Sequence, residues 1–440
     1  MTARLEKVLD WYNAQPDVQA VVMNGDMVHD APVFYADVKA SLDKSRGKLQ
    51  TIGVMGNHDA EGGSVHAQFE AALGHKNNRY FQINGYHFFI LAPGSLVSGE
   101  NTTVDAFNTN VPANNRDLNS TVRTWLENKL SAINTEDPGK PIFIFYHWPV
   151  ANTYHLSLPS QHSTSTFGTG TSNWLFQNYP QVTVFGGHIH SDNNDPRSIW
   201  QGGFTSVNVP SINYMELDSP PAGERYLGDW YVGLAVGNPP GTTSRPYPRV
   251  ANSAYGQGLV VSVKDSQVTI ENYDFDLTQG PRPLSGVIKM PQTWKYDVTK
   301  PAEFPYTQAI RSTQKVAPVF DTGQGANAAI PGGITFNNIG TTSIQIEFLQ
   351  AIIPGANPGI EIVHSYEFVF SRNIGGSWDE SFRIKQWSDT MLTPRLQKQT
   401  YTQDFHFGLN TRTEYRLEIF AFSSFQERST QCLVAEFKTN

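Results

Sequence analysis

The sequence predicts an α/β domain over residues 1–275, a connector over 276–333 and an all-β sandwich over 334–440. Three observations predict it. At 440 residues the chain is longer than one ordinary hydrophobic core serves, which implies two domains. Up to about Phe275, short apolar runs alternate with helix-period segments, the signature of strands joined by helical crossovers. Beyond Gly333 the apolar residues recur in period two, with turn residues at the intervals of a β-sandwich.

The elements follow in order. Leu5, Val8, Leu9 and Tyr12 lie at i, i+3, i+4 and i+7, an amphipathic helix that ends near Pro16. QAVVMNGD is a short apolar run closed by a Gly-Asp turn, hence a buried strand. A helix over Val33–Leu42 leads to a second strand in QTIGVMGNHD. YHFFILA and PIFIFYH repeat the pattern around the helix STVRTWLENKL, and QVTVFGGHIH is the next strand. FTSVNV, GLVVSV and QVTIENYDF predict a second sheet that closes the domain. Residues 276–333 are rich in Pro, Gly, Thr and Gln, show little periodicity, and read as connector. TSIQIEF, HSYEFVFSR, YRLEIFAF and CLVAEFKT then alternate as sandwich strands.

Composition narrows the chemistry. Charged residues make up 16% of the chain, below the roughly 25% usual for soluble domains, and Asn, Thr, Ser and Gly take their place at the surface. That balance predicts an extracytoplasmic or secreted protein. A net charge of -8 argues against a nucleic-acid partner, which requires a basic face. Cys432 is the one cysteine, so an intrachain disulfide and a thiolate zinc site are both excluded, and its apolar setting reads as a core thiol. No apolar run reaches the roughly 18 residues that span a membrane.

Ten of the twelve histidines precede residue 191. Four strand ends carry metal-seeking residues: Asp26, then Asn57, His58 and Asp59, then His147, then His188 and His190. Ligand sites in open α/β sheets collect at the carboxyl ends of strands. Oxygen and imidazole donors without thiolate suit Mn, Fe or Zn. In an extended segment His188 and His190 would point the same way toward two adjacent ions, with Gly186 and Gly187 allowing close backbone approach. Two carboxylate oxygens let Asp26 bridge two cations at the about 3.5–4 Å separation of two-metal hydrolysis.

GDMVHD, GNHD, FYHWP and GGHIH, in that order, resemble the second to fifth motifs of the calcineurin-like metallophosphoesterases, the superfamily that includes the purple acid phosphatases. The resemblance implies a four-layer α-β-β-α catalytic fold and two divalent or trivalent metal ions. It implies hydrolysis of a small phosphomonoester or phosphodiester by metal-bound hydroxide. By similarity Asp26 bridges the ions; Asn57, His147 and His188 complete the second position, and His190 serves the first. His58 would stabilise the transition state or protonate the leaving group, with Asp59 orienting its imidazole. The family's first motif, Asp-x-His, has no counterpart ahead of the opening helix, so an N-terminally truncated sequence lacking its first strand is expected, with one weak metal position. The only Asp-x-His is Asp404-Phe405-His406, inside the sandwich. His29 stands where purple acid phosphatases carry a metal-binding Tyr, which argues against a tyrosinate-iron enzyme.

LNTRTEYRLEIFAFSSF is similar to the sixth strand of a fibronectin type III domain, in which a Tyr such as Tyr415 makes a corner hydrogen bond. Such a module implies carbohydrate or cell-surface contact. An alternative reading makes the first domain an inactive scaffold in a binding or surface protein. Tyr226, Trp230 and Tyr231 either wall a pocket or simply pack, and His155 and His162 read as exposed polar loop residues, with substrate contact as the alternative. His66, His75, His87 and Arg79 read as structural or solvated.

Overall fold

A computed structural model describes residues 2–440 except 29–33, 61–64, 112–115, 158–163, 165–166, 168–174, 214, 217–248, 251–254, 278–285, 314, 322–328, 342, 356–361, 389–397 and 405–408. His29, His162, Tyr226, Trp230, Tyr231, Phe405 and His406 therefore lie outside the described residues.

Helix α1 (Thr2–Ala14) buries Val8, Leu9 and Tyr12, the apolar stripe of its sequence. Strand β1 (Ala20–Met23), helix α2 (Tyr35–Ser45) and β2 (Gln50–Gly53) form a β-α-β unit whose strands pair in parallel, Ala20 opposite Gln50. After β2 come α3 (Asn57–Ala60) and α4 (His66–Leu73), then β3 (Asn78–Ile83), β4 (Tyr86–Ile90), β5 (Ser95–Leu96), β6 (Ala106–Phe107) and β7 (Thr109–Asn110). Helix α5 (Ser120–Glu136) starts where the Asn119 side chain accepts from Thr121 N–H at 2.8 Å, an N-cap that satisfies one orphan amide. It buries Val122, Trp125, Leu126, Leu130 and Ile133, one face at helical spacing.

Strands β8 (Ile142–Phe145), β9 (Val182–Gly186), β10 (Ile199–Gln201) and β11 (Thr205–Asn208) complete a seven-stranded sheet of order β10-β11-β9-β8-β4-β3-β6. Within it β4, β8, β9 and β11 are parallel neighbours. Every residue of β8 and β9 is buried, as expected of parallel strands covered on both faces. One face packs on the helices through Leu9, Leu42, Leu126, Ile144 and Val184. The other, with Phe143, Phe145, Phe185 and Val207, packs on a second sheet that brings Val268, Ile270, Trp294 and Tyr296. Each such fully buried side chain contributes about 1.5–3 kcal/mol.

After the short pair β12 (Met215–Glu216) and β13 (Arg249–Val250), the second sheet is an antiparallel meander of β14 (Tyr255–Lys264), β15 (Gln267–Asp276) and β16 (Val287–Asp297). Strand β16 lies where the sequence reads as connector. Its alternation is real, because Met290, Gln292, Trp294 and Tyr296 are all buried. A proline and a buried polar residue in the MPQTW run conceal it, and the register shifts between Glu271 and Tyr273 on the partner strand. Helix α6 (Gln308–Thr313) follows.

The last part is an all-β sandwich of β17 (Ala329–Pro331), β18 (Ile334–Asn337), β19 (Ser343–Leu349), β20 (Val363–Ile374), β21 (Ser377–Trp387), β22 (Lys398–Asp404), β23 (Glu414–Ser423) and β24 (Cys432–Lys438). A five-stranded sheet β17-β24-β23-β20-β21 faces a three-stranded sheet β18-β19-β22 across a core of Ile346, Phe348, Tyr366, Phe370, Leu417 and Leu433. Tyr415 is fully buried, and its hydroxyl accepts from Asn410 N–H at 2.8 Å, the corner bond. Cys432 is buried at the start of β24.

Candidate metal centre

The carboxyl ends of β1, β2, β8 and β9 meet at one place. Asp26 follows β1 by three residues, Asn57 opens the helical turn after β2, and His147 lies two residues beyond β8. His188 lies two residues beyond β9. The donor atoms of Asp26, His147 and His188 all lie within 4.8 Å of one another. The imidazole Nε2 of His147 is 3.3 Å from Asp26 Oδ2 and 3.2 Å from Asn57 Oδ1. His190 stands outside this mutual set.

The tautomer of His147 gives the cluster its chemical meaning. Nδ1 lies 2.8 Å from the Asn24 carbonyl, so Nδ1 carries a proton and donates it there. In the neutral ring Nε2 then presents a lone pair to the Asp26 carboxylate, itself an acceptor, with the Asn57 amide beside it. That arrangement repels unless a cation or an added proton sits between the two. The residues therefore fit a metal ion, with oxygen and imidazole donors suited to Mn, Fe or Zn. Burial works against protonation of His147, but neighbouring Asp26 outweighs it and raises its pKa above the ordinary value. Burial likewise opposes ionisation of Asp26, yet His147 and His58 hold its carboxyl far below the usual carboxylate range. Both groups are tuned toward an ionised carboxylate facing positive charge.

Space at the cluster comes from glycine. A Cβ on Gly25 would lie 2.2 Å from His147 Nδ1, and φ there is +99°. A Cβ on Gly56 would lie 2.3 Å from Asp26 Oδ1. Gly186 has a different task from the one its sequence position suggests: its missing Cβ makes room for the Tyr154 hydroxyl at 2.6 Å and Pro149. The segment from His188 to His190 also departs from expectation. It is not extended, because φ is +67° at His188 and +50° at His190, and Ile189 N–H donates back to the Gly187 carbonyl at 2.7 Å. A strained turn, rather than strand alternation, aims these two rings.

His58 is half-buried beside the cluster, and its backbone N–H donates to Asp26 Oδ1 at 3.0 Å. Asp59 is fully buried. Its two oxygens accept from Gly56 N–H at 2.8 Å and Val28 N–H at 3.1 Å, tying the turn after β2 to the segment after β1. Burial, and then the charge of Asp26, push the Asp59 carboxyl up to about 6 against the pull of those amides. Asn24 is a site residue that the sequence pattern does not single out. Besides receiving the His147 proton it is buried, and its Nδ2 donates to the Phe185 carbonyl at 3.3 Å and the Tyr146 carbonyl at 3.4 Å. One side chain thus fastens β1 to the ends of β8 and β9. An Asn before a Gly-Asp pair reads as a turn residue, so only its place at a strand end could have marked it.

His75 accepts from Gly53 N–H at 3.1 Å, at the end of β2. The His87 ring is held by the Tyr80 hydroxyl at 2.9 Å and Asp137 at 3.3 Å. The backbone amide of His155 donates to the Arg197 carbonyl at 3.0 Å.

Residues 2–192 match the family model of the calcineurin-like phosphoesterases, a family whose members use metal ions. No curated protein matches the chain. Among solved structures, a Vps29 mutant from Entamoeba histolytica is 12% identical, covering 66% of this chain and 87% of its own, with a TM-score of 0.23. The FN5 domain of Drosophila Lar is 15% identical, covering 26% of this chain and 97% of its own, with a TM-score of 0.15. Among the described residues no helix is long and apolar enough to cross a membrane.

Proposed function

We propose that the chain hydrolyses a small phosphomonoester or phosphodiester at the cluster of Asp26, Asn57, His147 and His188. The observation that carries this reading is the His147 Nε2 lone pair directed at the Asp26 carboxylate, with the Asn57 amide and His188 beside it. Bound metal would supply Lewis acidity toward the phosphoryl oxygens and a more acidic water. Asp26, Asn57, His147 and His188 would hold one ion, and Asp26 with His190 a second, more weakly. The chain's own residues do the rest. Asn24 fixes the tautomer of His147, Asp59 holds the two turns in register, and His58 faces the substrate as the group that stabilises charge or protonates the leaving oxygen. An extracytoplasmic location, and cell-surface or carbohydrate contact through the sandwich, belong to the same reading.

Replacing His58 tests it. His58→Ala should lower turnover of an activated aryl phosphate or bis-aryl phosphate by about 10²–10⁴-fold with metal content unchanged after dialysis. Metal content falling in parallel with activity would assign His58 to the ligand set instead. No hydrolysis of either ester by the metal-loaded wild type would leave a binding scaffold as the better reading.

A further inference from the structure

Beyond the phosphoesterase cluster, a second group of oxygen donors lies buried between the turn after His190 and the meander. Asp192, Asn193 and Asn194 come from the turn, Asn208 from the end of β11, Gln257 from β14, Asn272 and Asp274 from β15, and Gln292 from β16. None is more than 2% exposed. The side-chain amide nitrogens of Gln257, Asn208, Asn193, Asn272 and Gln292 are committed. Gln257 Nε2 donates to Asp192 Oδ1 at 2.7 Å, and Asn208 Nδ2 to the Ser191 carbonyl at 2.8 Å and Asn193 Oδ1 at 2.6 Å. Asn193 Nδ2 donates to the Asn208 carbonyl at 3.0 Å and Asn272 Oδ1 at 3.2 Å, Asn272 Nδ2 to the Gln292 carbonyl at 3.2 Å, and Gln292 Nε2 to the Asn194 carbonyl.

What remains is all acceptor. Asp192 Oδ2, both oxygens of Asp274, Gln292 Oε1 and Asn208 Oδ1 are buried with no hydrogen-bond partner. Turning the Gln292 or Asn208 amide over would not relieve this, because each nitrogen already faces an oxygen and the swap would set oxygen against oxygen. Burial pushes the Asp274 carboxyl up to about 7 against the pull of the flanking Gln257 and Asn194 side chains, and neither of its oxygens meets hydrogen-bond geometry. The charges that act on Asp192 are those of Asp274 and Asp195, which are carboxylates; Arg197 pairs with Asp195 instead. A single water offers two hydrogens, too few for five acceptors. Two adjacent buried carboxyls without a counter-charge are costly to keep in a fold.

We propose that Asp192, Asp274 and Gln292 hold a hard divalent cation in a site separate from the imidazole centre, with Asn208 alongside. Oxygen donors with no imidazole or thiolate select such an ion. A fully buried, irregular, all-protein oxygen shell suits calcium, since magnesium demands near-octahedral geometry and retains several waters. The cation would pin the turn that begins two residues after His190 to β15 and β16 of the meander, and so brace the histidine pair from behind.

The test uses the full chain, stripped with chelator and titrated with calcium chloride or magnesium chloride. Calcium should bind at one equivalent and raise the melting temperature saturably, with magnesium much weaker. Asp274→Asn should abolish both effects while manganese or zinc at the imidazole centre is retained. If Asp274→Asn does not fold, His147→Ala decides: it should lose manganese or zinc and keep the calcium equivalent. The proposal is overturned if the wild type binds no calcium or if His147→Ala releases the calcium. It is also overturned if Asp274→Asn is more stable than wild type without calcium and calcium still acts on it, the behaviour of a carboxyl pair sharing a proton.

Discussion

Asp26, His188 and His190 share a backbone conformation that most L-residues avoid, with φ of +53°, +67° and +50°. Strain of this kind costs roughly 1–2 kcal/mol per residue and concentrates at functional sites. At His188 it can be measured apart from ligation, because neither Gly nor Ala supplies an imidazole. His188→Gly, free to adopt positive φ, should be about 1 kcal/mol more stable than His188→Ala in metal-free protein, the reverse of their usual order. Denaturant unfolding of the two variants checks this, and equal midpoints would mean that the turn carries no strain. The residue types at the site were legible from the strand-end pattern that named Asp26, Asn57, His147 and His188. The conformation was not. Alternation implied an extended His188-Ile189-His190, whereas the chain turns sharply because Gly187 and Ile189 close a tight backbone hydrogen bond.

At the scale of elements, the strand end that leads to Asn57 depends on a histidine in the next helical segment. Helix α4 stops at Gly74, whose φ is +74°, and the chain then delivers His75 against the last residue of β2. Nε2 of His75 accepts from Gly53 N–H while Nδ1, 2.8 Å from the Lys76 carbonyl, donates to it. Protonation would set an N–H against an N–H. Burial, opposed only in part by the Lys76 carbonyl, lowers the His75 pKa from 6.5 to about 4. The unfolded chain therefore takes up a proton that the folded chain refuses, so stability falls as pH drops through this window. The loss attributable to His75 is about 3 kcal/mol between pH 6.5 and 4. His75→Gln, which keeps an acceptor for Gly53, should flatten the stability profile across that range in denaturant titrations at several pH values. Identical slopes for wild type and variant would refute the assignment. Period and spacing could reveal β2 and α4 as elements, but not this link between them, because a lone histidine after Gly carries no pattern. Strand β16 escaped for a related reason: Pro291 and the buried Gln292 interrupt an alternation that Met290, Trp294 and Tyr296 otherwise keep.

At the scale of the molecule, the sandwich draws part of its core from ahead of its first strand. Phe320 is 2% exposed, belongs to the same cluster as Phe348 and Leu417, and stacks on Tyr366 with ring centroids 6.4 Å apart. Its N–H donates to Gln431 Oε1 at 3.0 Å. Val319 and Ile352 exchange backbone hydrogen bonds at 2.8 and 2.9 Å. Just upstream, Arg311 of α6 is buried between the two halves. Its guanidinium donates to the Pro196 carbonyl at 2.5 Å and lies 5.8 Å from the centroid of the Phe425 ring. Residues 316–320 thus serve the sandwich, while Arg311 clasps it to the phosphoesterase part. We predict that a fragment of residues 316–440 unfolds cooperatively, and that a fragment of 328–440 is less stable by about 3 kcal/mol. Burial of one Phe is worth about 1.5–3 kcal/mol and each lost hydrogen bond adds about 1 kcal/mol, partly offset by the entropy of ordering fewer residues. Urea unfolding of both fragments makes the comparison. If the two midpoints coincide, Phe320 only covers a core that is complete without it. If the longer fragment unfolds without cooperativity, the core extends through the Arg311 clasp into the phosphoesterase part, and the chain folds as one unit rather than two.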